Sequence, residues 1–220
     1  GYEAAVRLSA ARNMETHLSI ATGRWGAFGA AAAAGRLRGL APDRLAQALL
    51  IAENHAPGLL AAHLHGFGGA HVKEGIAWSV VAGLTALELA QSGFTGYPNT
   101  LDLPELYDGS QIGADLGTAF WIDRTYFKLY SCCRAIHPAV DALVALIAEH
   151  RLSATDITSV RVDGCALTVN LNNKVDPPNF EASQFSVPFA LAVAAIDGAD
   201  ALLPLAPDLL GRRDLVEFGK

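Results

Sequence analysis

The stretch TGRWGAFGAAAAAGRL at Thr22–Leu37 limits the possible folds more than any other part of the chain. Read as a helix, it puts glycine and alanine on every face between Gly23 and Ala34. A glycine inside a helix costs about 0.5–1 kcal/mol relative to alanine, so Gly26 and Gly29 need a packing reason. Close approach of a second helix supplies one. The composition agrees: 51% of residues are hydrophobic and only 17% are charged, which excludes a disordered chain. So little polarity means either very tight helix packing or apolar surface covered by something outside this sequence. The first residue is not Met, residues 1–12 read as the middle of a helix, and Leu215–Lys220 stops without a cap. The expectation is therefore the central piece of a longer protein.

Several function classes drop out early. The apolar run from Trp25 to Gly35 is far short of the roughly 20 residues a bilayer span needs, and with no basic stretch followed by an apolar one at Gly1–Arg12 an export signal is not expected. With 16 basic and 22 acidic side chains the net charge is −6, which argues against a sequence-independent nucleic-acid binder. A soluble, cytoplasmic protein with no membrane or nucleic-acid partner is expected. Cys132, Cys133 and Cys165 show no zinc spacing, so reduced thiols and no metal are expected.

Two textures divide the chain. Residues 1–93 read mostly as helix. Pro42 and Asp43 give start signals for one helix, and His71–Gln91 carries apolar residues at helical intervals. A loop follows from Phe94 to Asp108. Beyond it, Thr125–Tyr130 and Ile157–Val162 alternate as strands, while Ala135–His150 and Ala182–Ile196 read as helices. A helical part thus precedes a smaller α/β part, with the domains placed at 1–115 and 116–220.

Most of the tempting motifs are weak. GRWGAFG and HGFGGA lack the spacing and the partner residues of nucleotide loops, and no G-x-S-x-G elbow is present. His63 and His65 stand two apart, which on a helix sends them to different faces and suits a metal poorly. KLYSCCRAIHPAVD, Lys128–Asp141, is richer. Pro138 suits a first helical turn and places His137 at a helix N-terminus, where neutral imidazole is favoured. A neutral histidine among cations is what general-base chemistry on a carboxylate would use. Capping or core packing is the equally open structural reading. Lys73 lies beside Glu74 in an otherwise apolar run, where a surface lysine with a solvated head is the plain alternative.

Taken in order, six pieces resemble the MmgE/PrpD family, which includes 2-methylcitrate dehydratases, cis-aconitate decarboxylases and iminodisuccinate epimerases. They are GYE at Gly1–Glu3, TGRWGAFGAAAAAGRL at Thr22–Leu37, and VKEGIAW from Val72. GFTG at Gly93–Gly96, KLYSCCRAIHPAVDA at Lys128–Ala142 and FSVPFA at Phe185–Ala190 complete the set. The resemblance implies an α+β protein: an all-helical domain, incomplete here, followed by a smaller α/β lid. It implies a homodimer that needs no metal or organic cofactor and takes a proton beside a carboxylate of a small di- or tricarboxylate.

The same resemblance puts Lys73, Lys128, His137 and Asp141 on family site residues and Thr22 and Gly23 in the family's turn, while Cys133 stands where some members carry a histidine. The expected catalytic set is Lys73, His137 and Cys133. Arg24, in place of that turn's usual small residue, is expected to join Thr22, Gly23 and Lys128 in binding substrate. The turn histidine of the family falls on Ile20 and a lid tyrosine on Phe189. A hydro-lyase of the 2-methylcitrate dehydratase kind is the first expectation. An epimerase, or a homologue that binds or assembles without chemistry, is the alternative.

Overall fold

A computed structural model describes residues 1–16, 22–57, 71 and 75–220. Helices α1 (Tyr2–Ala11), α2 (Thr22–Leu37), α3 (Pro42–His55) and α4 (Ile76–Gln91) pack together, and α2 lies closest against α4. The reason is written in the glycines. A Cβ on Gly83 of α4 would run into the Ala27 carbonyl of α2, and one on Gly26 would stand 2.5 Å from Ser79 Oγ. The side-chain-free positions let the two backbones come together over Ala27, Ala31 and Ala86, all buried. Trp25, Phe28, Ile51 and Leu87 fill the rest of that core. Pro42 stands in the first turn of α3, with Asp43 beside it, as the start signals require.

The described residues gather into two compact units: 1–16, 22–57 and 75–126 in one, and 71 with 127–220 in the other. Residues 116–126, grouped with the second part in the sequence reading, pack with the first unit. Trp121 N–H donates to the Glu3 carboxylate at 2.9 Å, and Arg7 Nη2 donates to the Ala119 carbonyl at 2.8 Å. Arg7 also lies 5.5 Å over the Trp121 ring. The short helix α5 (Gly109–Gly113) belongs to this unit as well.

In the second unit, α6 (His137–His150) packs on α9 (Val187–Ile196), with short helices α7 (Ala166–Val169), α8 (Phe180–Ser183) and α10 (Arg213–Phe218) around them. Ile136, Val140, Leu191, Val193, Leu202 and Leu215 form its core. Ser186 caps α9 by accepting from Phe189 N–H at 3.2 Å, which moves the helix start past the Phe-Ser pair. Phe189 is buried in that core.

The two expected strands are not formed. Thr125–Tyr130 and Ile157–Val162 run without ladder partners, and the one β-bridge among the described residues joins Arg12 to Tyr107. Alternation makes a segment fit for a sheet, but a sheet needs a neighbour. Val160 and Tyr126 stand exposed where a partner strand would cover them. The described chain is therefore largely helical, and the α/β character expected of its second part is absent from it. No described helix is long and apolar enough to cross a membrane.

Candidate functional site

Pro138 fixes the first turn of α6, so the helix begins at His137 with a single 3-10 turn, Arg134–Ile136, leading in. This puts the imidazole at the positive end of α6 and against the chain that precedes it. His137 is only 5% exposed. Its Nε2 lies 3.4 Å from the Cys132 carbonyl, which can only accept, so that contact places the ring proton on Nε2 and leaves Nδ1 as the basic atom. The Tyr130 ring sits 4.9 Å from the imidazole, centre to centre. The Tyr130 hydroxyl donates to Asp141 Oδ1 at 2.6 Å, one turn along α6 from His137.

The electrostatics follow from this packing. Burial holds the His137 pKa below its ordinary value, and the positive charges of Lys128 and Arg134 push it the same way. The Cys132 carbonyl and Asp141 oppose them. Burial pushes the Cys132 thiol up to about 12, against the pull of Lys128. The bond to Asp141, with burial, raises Tyr130 to about 12. At neutral pH the cluster thus holds a neutral imidazole, a protonated thiol and a protonated phenol beside the Lys128 cation.

Lys128, Cys133 and His137 therefore fall in one neighbourhood: Lys128 is exposed, Cys133 half-buried and His137 buried. Tyr130 was missed in the sequence reading. Its signal was present in the i, i+4 spacing of His137 and Asp141, which puts both on one face of α6.

The first unit holds Thr22, Gly23 and Arg24 in the opening turn of α2. Thr22 is exposed and Gly23 buried. Arg24 Nη2 pairs with Glu53 Oε1 of α3 at 2.5 Å, and the Tyr107 hydroxyl donates to Glu53 Oε2 at 2.7 Å. A carboxylate ligand at Arg24 would share its guanidinium with Glu53. Nothing in the sequence pointed to Glu53, which reads there as one polar residue of an amphipathic helix.

Lys73 and Ile20, with His63 and His65, lie outside the described residues. His71 is exposed, with Nδ1 3.3 Å from Glu181 Oε2. Among the described residues no group of three or more His, Cys, Asp or Glu could hold a metal ion.

Comparison with known proteins accounts for both parts of the chain. Residues 1–108 match the MmgE/PrpD N-terminal domain, and residues 130–219 match the MmgE/PrpD C-terminal domain. The chain belongs to the MmgE/PrpD family, whose relatives here are of the lyase type. Two curated relatives are cis-aconitate decarboxylases, from Aspergillus terreus and from its strain NIH 2624 / FGSC A1156. Each is 28% identical over 197 residues, which covers 79% of this chain. The chain spans 39% of the length of these relatives.

Proposed function

We propose that the whole protein is a lyase acting on a small di- or tricarboxylate by removing a proton beside a carboxylate. The neutral, buried His137 beside Lys128, in the segment that matches the family's C-terminal domain, carries this reading. His137 Nδ1 takes the proton from the carbon next to the substrate carboxylate. Lys128 holds that carboxylate and stabilises the charge that develops on it. In a hydro-lyase of the 2-methylcitrate dehydratase kind, the C–H electron pair forms the double bond. The neighbouring hydroxyl then leaves as water with a proton from an acid. Cys133, beside the buried Cys132, is a candidate for that acid, and Lys73 is proposed as a further catalytic lysine. Thr22, Gly23 and Arg24 are proposed to hold a second carboxylate.

Decarboxylation is the second reading, favoured by the two curated relatives. There the carboxylate leaves as CO2 and the carbon it vacates takes up a proton. We carry forward a homodimer, in the cytoplasm, that needs no metal or organic cofactor. Incubating the full-length protein with citrate, 2-methylcitrate and cis-aconitate in D2O tests the proposal by NMR. Deuterium uptake or a new alkene product supports the lyase reading. Loss of CO2 from cis-aconitate favours the second, and three inert substrates overturn both.

A further inference from the structure

Helix α6 carries a histidine and a carboxylate one turn apart. His137 and Asp141 stand at the i, i+4 spacing at which helix side chains meet. A carboxylate against an imidazole favours the charged ring, so left to itself this pair would make His137 a cation more readily. The structure keeps the two apart. No ion pair joins them among the described residues. Asp141 Oδ1 accepts instead from the Tyr130 hydroxyl at 2.6 Å.

Tyr130 lies outside α6 and is anchored without it. Just after it, Ser131 N–H donates to the Leu202 carbonyl at 2.8 Å, and Cys133 N–H donates to the Gln184 carbonyl at 2.7 Å. The ring packs 4.9 Å from the imidazole at 53°, and the hydroxyl goes on to Asp141, so one side chain spans the turn between them. A hydroxyl bonded to a carboxylate at this length is of the charge-assisted kind, roughly twice as strong as a neutral pair. The same bond raises Tyr130 to about 12, which keeps the hydroxyl a donor at neutral pH. The charges acting on His137 are few. Lys128 and Arg134 disfavour its protonation, Asp141 favours it, and the neighbouring Cys132 thiol stays protonated. Helix α9, packed on α6, carries no ionisable side chain, and Asp200 acts on Tyr130. Asp141 is thus the carboxylate to which the ring responds, and Tyr130 holds it.

We propose that Tyr130 is a positioning residue: by holding Asp141 Oδ1 it keeps that carboxylate off the imidazole, so that His137 stays an uncharged base. The work of that base rests on the lyase reading above; the charge state of the ring does not.

The test follows the ring nitrogens of His137 by NMR in the full-length protein, from neutral to mildly acidic pH, with the signals assigned by their loss in His137→Gln. Tyr130→Phe keeps the packed ring and deletes the bond. It should raise the His137 pKa, because the freed carboxylate can turn towards the imidazole. Asp141→Asn should lower it by removing the negative charge. Tyr130→Phe combined with Asp141→Asn should match Asp141→Asn alone, a non-additivity that a residue serving only to pack the ring would not give. If the protein turns over a carboxylate, the acid limb of kcat/KM should move up with the NMR value in Tyr130→Phe. An unmoved or lowered pKa in Tyr130→Phe overturns the role, as does an equal rise in the Asp141→Asn background. A ring that stays neutral in all four proteins overturns it too. The expected NMR pattern in a protein inert towards every substrate would leave Tyr130 in its role while the lyase reading fell. Turnover with an unmoved pKa would do the reverse.

Discussion

Glu53 shows how much a single position can decide. It is 5% exposed, takes one bond from Arg24 and another from Tyr107, and so ties α2 and Tyr107 to α3. Glu53→Gln should lower unfolding free energy by about 2–3 kcal/mol, since bonds to a charged group are the stronger kind. Urea titration followed by fluorescence would measure it. Tyr107→Phe should cost about 1–3 kcal/mol by leaving that carboxylate oxygen short of a donor. None of this was legible in sequence, because three residues far apart along the chain meet only once the helices pack. His137 was more legible: Pro138 alone predicted a helix start beside it. Its pKa should be found by NMR below the ordinary 6.5, and Lys128→Met should raise it by removing a nearby cation. The sign for stability follows. The neutral ring favours the folded state fully above pH 6.5, and that contribution fades as pH falls from there towards the folded pKa. If the lyase reading holds, the acid limb of kcat/KM should likewise lie below 6.5 and move up in Lys128→Met.

Helices α2 and α4 make the case at the scale of elements. The small-residue run of α2 announced a close neighbour, but not which one; that needed Gly83, a residue unremarkable in its own segment. Gly83→Val would force a side chain into the Ala27 carbonyl and should cost about 1–3 kcal/mol or more. The same change at Gly39, with open space around it, tests a different thing, since its φ of +67° strains any side chain. Thermal unfolding of both variants separates crowding from backbone strain. α3 and α6 were readable from proline and apolar spacing because helix signals are local. The two strand segments were misread for the opposite reason. A strand is stabilised by residues distant in sequence, and Ile157–Val162 has the pattern without the company.

Across the whole molecule, two cores on two lengths of chain imply that unfolding need not be a single transition. Among the described residues the chain passes directly from the first unit to the second at Phe127, which is 94% exposed, next to an exposed Tyr126. Brief chymotrypsin treatment should cut there first, and mass spectrometry should find pieces ending at Tyr126 or Phe127. The outer side of α4 carries Trp78, Val80 and Val81 exposed to solvent. If the homodimer proposal holds through this face, Trp78→Glu should give monomers by light scattering, with a thermal midpoint that no longer depends on protein concentration. The three cysteines offer a way to watch such changes. Cys165 is exposed with its thiol pKa drawn down by Thr168, Cys133 is half-buried, and Cys132 is sealed in the second core. A maleimide should therefore label them in that order. The delay before the last reaction clocks how often the neighbourhood of α6 opens, so the native chain carries its own breathing gauge with no dye site engineered in.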